Sequence, residues 1–149
     1  MPSVFLFLFA ATSLFADPMT QSEREHLIFH LEMTQTWLTD EVSSQSAPQL
    51  NFRPAPDRWT VAEVVQHLVI AEPNYWKLLN DAAQALQAFL KMHAQLLELA
   101  RSTNEDLRGH AVPEWGVDAY QCLLEISTHE QRHILQIREI KASPGFPKK

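Results

Sequence analysis

Between Gln21 and Val42 the apolar residues Leu27, Ile28, Leu31, Trp37 and Leu38 recur at spacings of three and four, which gathers side chains on one face of an amphipathic helix. The pattern breaks over Ser43-Ser44-Gln45-Ser46-Ala47-Pro48 and again over Arg53-Pro54-Ala55-Pro56-Asp57, where prolines without a backbone N–H cannot continue a helix. Thr60 followed three residues later by Glu63 marks a new start, because hydroxyl and carboxylate can satisfy each other's free backbone donors in a capping box. The second predicted helix runs from Thr60 through Val64, His67, Leu68 and Ala71 to Leu79, kinked where Pro73 removes the hydrogen bond to Val69. A third spans Ala82 to Thr103, with Leu86, Leu90, His93, Leu97 and Ala100 in its stripe. Asn104 to Gly116, which contains Gly109, Pro113 and Gly116, is a loop, and a fourth helix covers Val117 to Lys141 before Ser143-Pro144-Gly145 stops it. No stretch alternates convincingly with period two, so no sheet is expected. Four amphipathic helices joined by mostly short links predict an all-α four-helix bundle.

At 149 residues, 46% hydrophobic and 20% charged, the chain is one domain's worth of ordinary globular protein. A formal net charge of −6, with no basic run beyond Lys148-Lys149, repels a phosphate backbone and argues against nucleic acid as a partner. Cys122 is the single cysteine, which excludes an intramolecular disulfide, a thiolate zinc cluster and a CxxC redox pair. Any metal site must then be built from histidines and carboxylates. Val4 to Ala16, VFLFLFAATSLFA, is too short to span a bilayer as a helix, so no stable membrane span is expected. It has the length of a signal-peptide h-region, which would make the protein periplasmic or secreted. Against that, Met1-Pro2-Ser3 carries no Lys or Arg, and Ala11-Thr12-Ser13 or Ala16 meets the cleavage pattern only loosely. The other reading starts translation at Met19 and leaves the protein in the cytoplasm. Under both, residues 1–18 stand outside a single domain of residues 19–149.

The fourth predicted helix carries His129-Glu130-Gln131-Arg132-His133. Four residues make just over one turn, so both imidazoles project from one face within reach of one ion. They also fall on the stripe Cys122, Ile126, His129, His133, Ile137, Ile140, where core residues belong and where an unpartnered imidazole is costly. An arbitrary His-x-x-x-His pair is more often a surface or hydrogen-bonded core pair. His67 alters that balance: it follows Val64 by three and precedes Ala71 by four on the inward stripe of the second helix, able to face the fourth across the core. Three inward imidazoles on two helices suit one divalent ion and leave coordination positions open, as catalytic sites do.

Two segments then resemble the DinB/YfiT-like family of metalloenzymes. Arg58-Trp59-Thr60-Val61-Ala62-Glu63-Val64-Val65-Gln66-His67-Leu68 is similar to the family's segment in which a Trp and a capping residue precede a helix that presents a metal histidine. Asp118-Ala119-Tyr120-Gln121-Cys122-Leu123-Leu124-Glu125, continuing through His129-Glu130-Gln131-Arg132-His133-Ile134-Leu135-Gln136-Ile137, resembles its last helix, while the first helix matches in character alone. The resemblance covers most of residues 20–147 and implies a four-helix bundle with His67, His129 and His133 as metal ligands. It also implies a homodimer and a metal-dependent hydrolase or a thiol-S-transferase acting on a small molecule such as a low-molecular-weight thiol. The link near Asn80-Asp81 is shorter than the crossover such proteins often have. An ion on three imidazoles makes a nucleophile of water, or of a substrate thiol, near neutral pH. Zinc and nickel are the leading candidates, although three imidazoles also suit iron or copper.

Other readings compete. A non-catalytic helical module could use a structural ion, or a buried histidine network, to pin the bundle, and a fourth protein ligand such as His93 would favour that role. His129-Glu130-x-x-His133 also fits the HExxH pattern of zinc proteases. There the third ligand would be Glu139, but Gln136 stands where such a protease needs a glycine. A continuing helix turns through about 600° over those six residues, which points Glu139 away from the pair. His26 and His30 are four apart beside Glu23 and Glu25 and are expected as a surface pair. His93 is expected to line the pocket or pack in the core, Trp59, Trp76 and Trp115 to seal helix ends, and Trp59 to wall a pocket. Glu63 could orient His67 from behind, but already has a role as a cap. His110 carries no signal, and Cys122, about 10 Å along the axis from His129, is a small core residue.

Overall fold

The computed structural model describes residues 18–69 and 82–148, so the expectations for residues 1–17, Pro73, Trp76 and the Asn80-Asp81 link lie outside the described residues. The elements are α1 (Gln21–Val42), a single turn α2 (Ala47–Leu50), α3 (Val61–Leu68), α4 (Ala82–Ser102), the short strands β1 (Ala111–Val112) and β2 (Val117–Asp118), and α5 (Ala119–Ala142). Three helices open on reciprocal capping boxes, Thr20 with Glu23, Thr60 with Glu63, and Asp118 with Gln121. Each satisfies donors that a first helical turn leaves free.

Two departures from the sequence pattern have local causes. α3 ends at Leu68, where Val69 turns to an extended conformation, ψ 94°, and the expected continuation to Leu79 lies outside the described residues. The predicted loop contains an antiparallel pair, Ala111 opposite Asp118 and Val112 opposite Val117. Trp115 and Gly116 both donate to Val112 O at 3.1 Å, and Gly116 adopts φ +67°, a left-handed conformation that favours glycine. Two-residue strands are too short to produce an alternating pattern.

The long helices α1, α4 and α5 and the shorter α3 form a four-helix bundle. Both α1 and α3 pack against α4 and α5, leaving α1 diagonal to α3 and α4 diagonal to α5. Cross-helix bonds give the directions. Tyr120 Oη donates to Glu23 O at 3.2 Å, Thr34 Oγ1 to Glu130 Oε2 at 2.6 Å and Arg138 Nε to Glu41 Oε1 at 2.6 Å, so α1 and α5 run parallel. Arg24 donates to the carbonyls of Ala100 and Thr103, so α4 is antiparallel to α1. Arg58 meets Glu139 while His67 meets His129, so α3 is antiparallel to α5. The neighbours α3 and α4 are therefore parallel, unlike consecutive helices in an up-down-up-down bundle.

Two apolar clusters fill the interior. One joins Leu38, Val64, Val65, Leu68, Phe89, Ile134 and Ile137, and the other joins Leu27, Leu31, Leu97, Ala100 and Tyr120. Between them along the helices lies a polar layer, with Thr34, His93, Ser127 and Glu130 all 0–1% exposed. Buried polar groups persist when they find partners. Glu130 accepts from Thr34, and His93 Nε2 lies 2.6 Å from Glu130 Oε1 with its ring stacked on Phe89 at 4.2 Å. His93 Nδ1 has no partner, so the tautomer that donates from Nε2 to Glu130 leaves only a bare acceptor buried.

With this layer on it, the first half of α5 buries other positions than the predicted stripe, while His133, Ile137 and Ile140 are buried as expected. The helix's buried face is Tyr120, Ser127, Glu130, His133, Ile134, Ile137 and Ile140, while Cys122, Ile126 and His129 are half-buried at its flank. On α1, Trp37 stands 37% exposed beneath the Arg138 guanidinium instead of entering the core.

Candidate metal centre

His129 on the flank of α5 and His133 on its buried face turn toward α3, whose last turn presents His67. Among the described residues these three form one group whose ligand atoms all lie within 4.8 Å of one another. His129 Nε2 is 3.3 Å from His67 Nε2 and 3.2 Å from His133 Nε2. Nitrogens that close cannot all carry protons, and lone pairs that converge are the arrangement a shared cation satisfies.

His133 Nδ1 donates to Gln136 Oε1 at 2.9 Å, which puts the ring proton on Nδ1 and leaves Nε2 facing the group. An Arg132 N–H donates to that same Nε2 at 2.8 Å. Burial pushes His133 down to about 4; the bond to Gln136 opposes this, and the charges of Arg132, His129 and His67 add to it. Burial likewise lowers His67, with His129 and Arg132 contributing, and lowers His129, with Arg132 contributing and Glu130 opposing. All three imidazoles are thus neutral at pH 7, the state in which they ligate metals.

A cavity of about 510 Å³ opens on this group. Trp59, His67, His133 and Gln136 supply its neutral lining and Asp57, Arg58, Arg132 and Glu139 its charged lining. The Trp59 indole meets His67 edge-on at 5.0 Å and lies nearly parallel to His133 at 6.1 Å. Glu139, expected to point away from the histidine pair, lines this cavity and pairs with Arg58 at 3.6 Å.

The other singled-out residues fall elsewhere. Glu63 is engaged by Arg53 at 2.5 Å and by the Thr60 N–H at 2.7 Å, on the cap of α3. His93 lies in the polar layer, held by Glu130. Glu130 is 1% exposed and bonded within the core, so the HExxH reading has no base beside the histidine group. His26 is exposed and its neighbour His30 half-buried, with Nδ1 3.3 Å from Ser127 Oγ. Trp115 is 62% exposed on the β1–β2 turn, and Cys122, its thiol pushed up by burial and by Glu125, lies outside the group. The sequence pattern did not single out Arg132, Gln136, Asp57 or Arg58. Gln136 had one detectable signal, its place one turn after His133 on the same helix face.

A family model described as the DinB superfamily matches residues 30–137. Among solved structures, YfiT from Bacillus subtilis, described as "a probable metal-dependent hydrolase with an unusual four-helix bundle topology", is similar with a TM-score of 0.65. The two share 19% identity over 87% of this chain and 91% of that one, a likeness of fold. No curated protein matches the chain.

Proposed function

The chain belongs to the DinB superfamily, and on that premise we propose that it is a metal-dependent hydrolase or thiol-S-transferase with one divalent ion, zinc or nickel, on His67, His129 and His133. The observation that carries this reading is the convergence of three neutral imidazoles from α3 and α5, two of which, His67 and His133, line a cavity. The donor set fits such an ion once Arg132 gives up His133 Nε2: three nitrogen ligands, one of them held in its tautomer by Gln136. An ion bound there supplies Lewis acidity and a depressed pKa for a water or thiol that reaches it.

The chain's own residues account for the rest. Trp59 forms an apolar wall beside two of the imidazoles, suited to the carbon part of a small substrate. Gln136 holds the His133 ring in place, and Arg58 and Arg132 bring positive charge to the cavity. A fourth protein ligand would have favoured a structural ion, but His93, the candidate for that role, is committed to Glu130. A small-molecule substrate, a thiol among the candidates, and a homodimer belong to the same proposal.

Elemental analysis of the purified protein beside a His129→Ala, His133→Ala double variant tests it. About one equivalent of metal in the parent and none in the variant is expected. A parent that is metal-free and cannot be loaded with zinc or nickel would overturn the reading.

A further inference from the structure

The cavity's charged lining holds two cations, and their circumstances differ. Arg58 is compensated by Glu139 at 3.6 Å. Arg132 has no carboxylate partner among the described residues, and it donates to an imidazole nitrogen at 2.8 Å. That nitrogen, His133 Nε2, faces the three-histidine group, so the guanidinium lies within hydrogen-bond reach of the side on which the group opens. Its charge also weighs on His67, His129 and His133 alike. Three neutral imidazoles contribute no negative charge, and a divalent ion on them would share the cavity with a guanidinium that neither lining carboxylate, Asp57 or Glu139, pairs with. The arrangement becomes favourable when the incoming molecule is an anion that meets both charges. A guanidinium presents its donors in a planar fork that matches a carboxylate with two parallel bonds.

We propose that Arg132 is the substrate clamp of this site, selecting small molecules that carry a carboxylate a few bonds away from the group that enters the histidine cluster. The inference rests on the metal-centre reading and adds the substrate's charge class to it. Arg132 acts as a specificity determinant here and takes no part in bond breaking. Trp59, against His67 and His133, packs the carbon chain between the two ends of the substrate.

Isothermal titration of the zinc-loaded full chain tests the clamp with two probes of equal length, 3-mercaptopropionate and 3-mercapto-1-propanol. Their common thiol suits zinc, and only the first carries a carboxylate. The parent should bind the acid at least about tenfold more tightly than the alcohol, a typical gain for one charge-assisted fork. Arg132→Met, compared at the same measured zinc content, should bring the two within about twofold by weakening the acid's binding. Arg132→Lys, which keeps the charge without the fork, should retain part of the preference, and this variant decides the matter if Arg132→Met fails to fold or to load zinc. Arg58→Met should leave most of the preference in place. A preference that survives in Arg132→Met, that is undiminished in Arg132→Lys, that vanishes instead in Arg58→Met, or that is absent from the parent would overturn the clamp. Zinc content is measured before titration, so a parent that holds no zinc identifies a failure of the metal centre itself.

Discussion

The polar layer that separates the two apolar clusters should behave as a coupled unit, and a double-mutant cycle on His93 and Glu130 measures it. Both side chains are buried, 0% and 1% exposed, and joined at 2.6 Å. His93→Leu keeps most of the ring's volume against Phe89 but strands Glu130 Oε1 in the core, at about 2–4 kcal/mol. Glu130→Met strands the His93 Nε2–H on a ring whose Nδ1 already lacks a partner, at a similar cost. Thr34 keeps an acceptor in both variants, since its hydroxyl also lies 3.1 Å from His30 O. The double variant removes both polar partners and should sit within about 1 kcal/mol of the parent, because replacing a buried pair by apolar groups of like shape is often neutral. The expected coupling is therefore at least about 3 kcal/mol, a large part of a typical total stability of about 5–15 kcal/mol. Urea unfolding followed by far-UV circular dichroism, with chelator present so that bound metal does not contribute, reads all four proteins. Each single variant should also melt roughly 5–15 °C lower. Single costs below about 1 kcal/mol, or a double cost equal to their sum, would refute the reasoning.

Two further outcomes follow from the histidine group. Gln136→Leu removes the acceptor that fixes His133 and should weaken zinc binding about 10–100-fold in competition against a chromophoric chelator; unchanged affinity would show that Gln136 does not orient the ring. In the metal-free protein, His133 is lowered from 6.5 to about 4, so the unfolded chain takes up its proton first as the pH falls. The stability this residue allows is fully present above pH 6.5 and declines down to about pH 4, and His133→Leu should flatten that part of a stability–pH curve measured by urea titration.

Periodicity located the long helices well because each keeps a clean apolar stripe and a strong start or stop. The ends of α1, the capped start at Thr60 and the span of α4 are examples. The face of α5 was harder to read. Its inward positions include Ser127 and Glu130, and a hydrophobicity pattern rejects a carboxylate from the core. The predicted stripe meets the buried face at His133, Ile137 and Ile140 and misses it at Cys122, Ile126 and His129, which are half-buried. Pairing Glu130 with His93 and Thr34 requires knowing which helices are neighbours, and that is long-range information absent from a local pattern. The histidine group itself was legible, because four-residue spacing within a helix and one further inward histidine are both sequence features. The charged lining was not, since Asp57 and Arg58 reach the cavity from the turn before α3, and Arg132 differs from any surface arginine only in what lies beside it.

The parallel course of α1 and α5 places the two ends of the fold at opposite poles. Met19 packs in the cluster with Tyr120, whereas the histidine cavity is lined from Arg132 to Glu139 at the far half of α5. The tail after Ala142 folds back at that second pole, with Phe146 against Phe52 and Pro147 O accepting from Gln49. Anything fused behind the tail therefore leaves from the pole that holds the cavity, and anything fused ahead of Met19 leaves from the other. A polyhistidine purification tag at the carboxyl end would hang within reach of the metal centre and could lend it extra imidazoles, so affinity tags and surface tethers belong at the amino end.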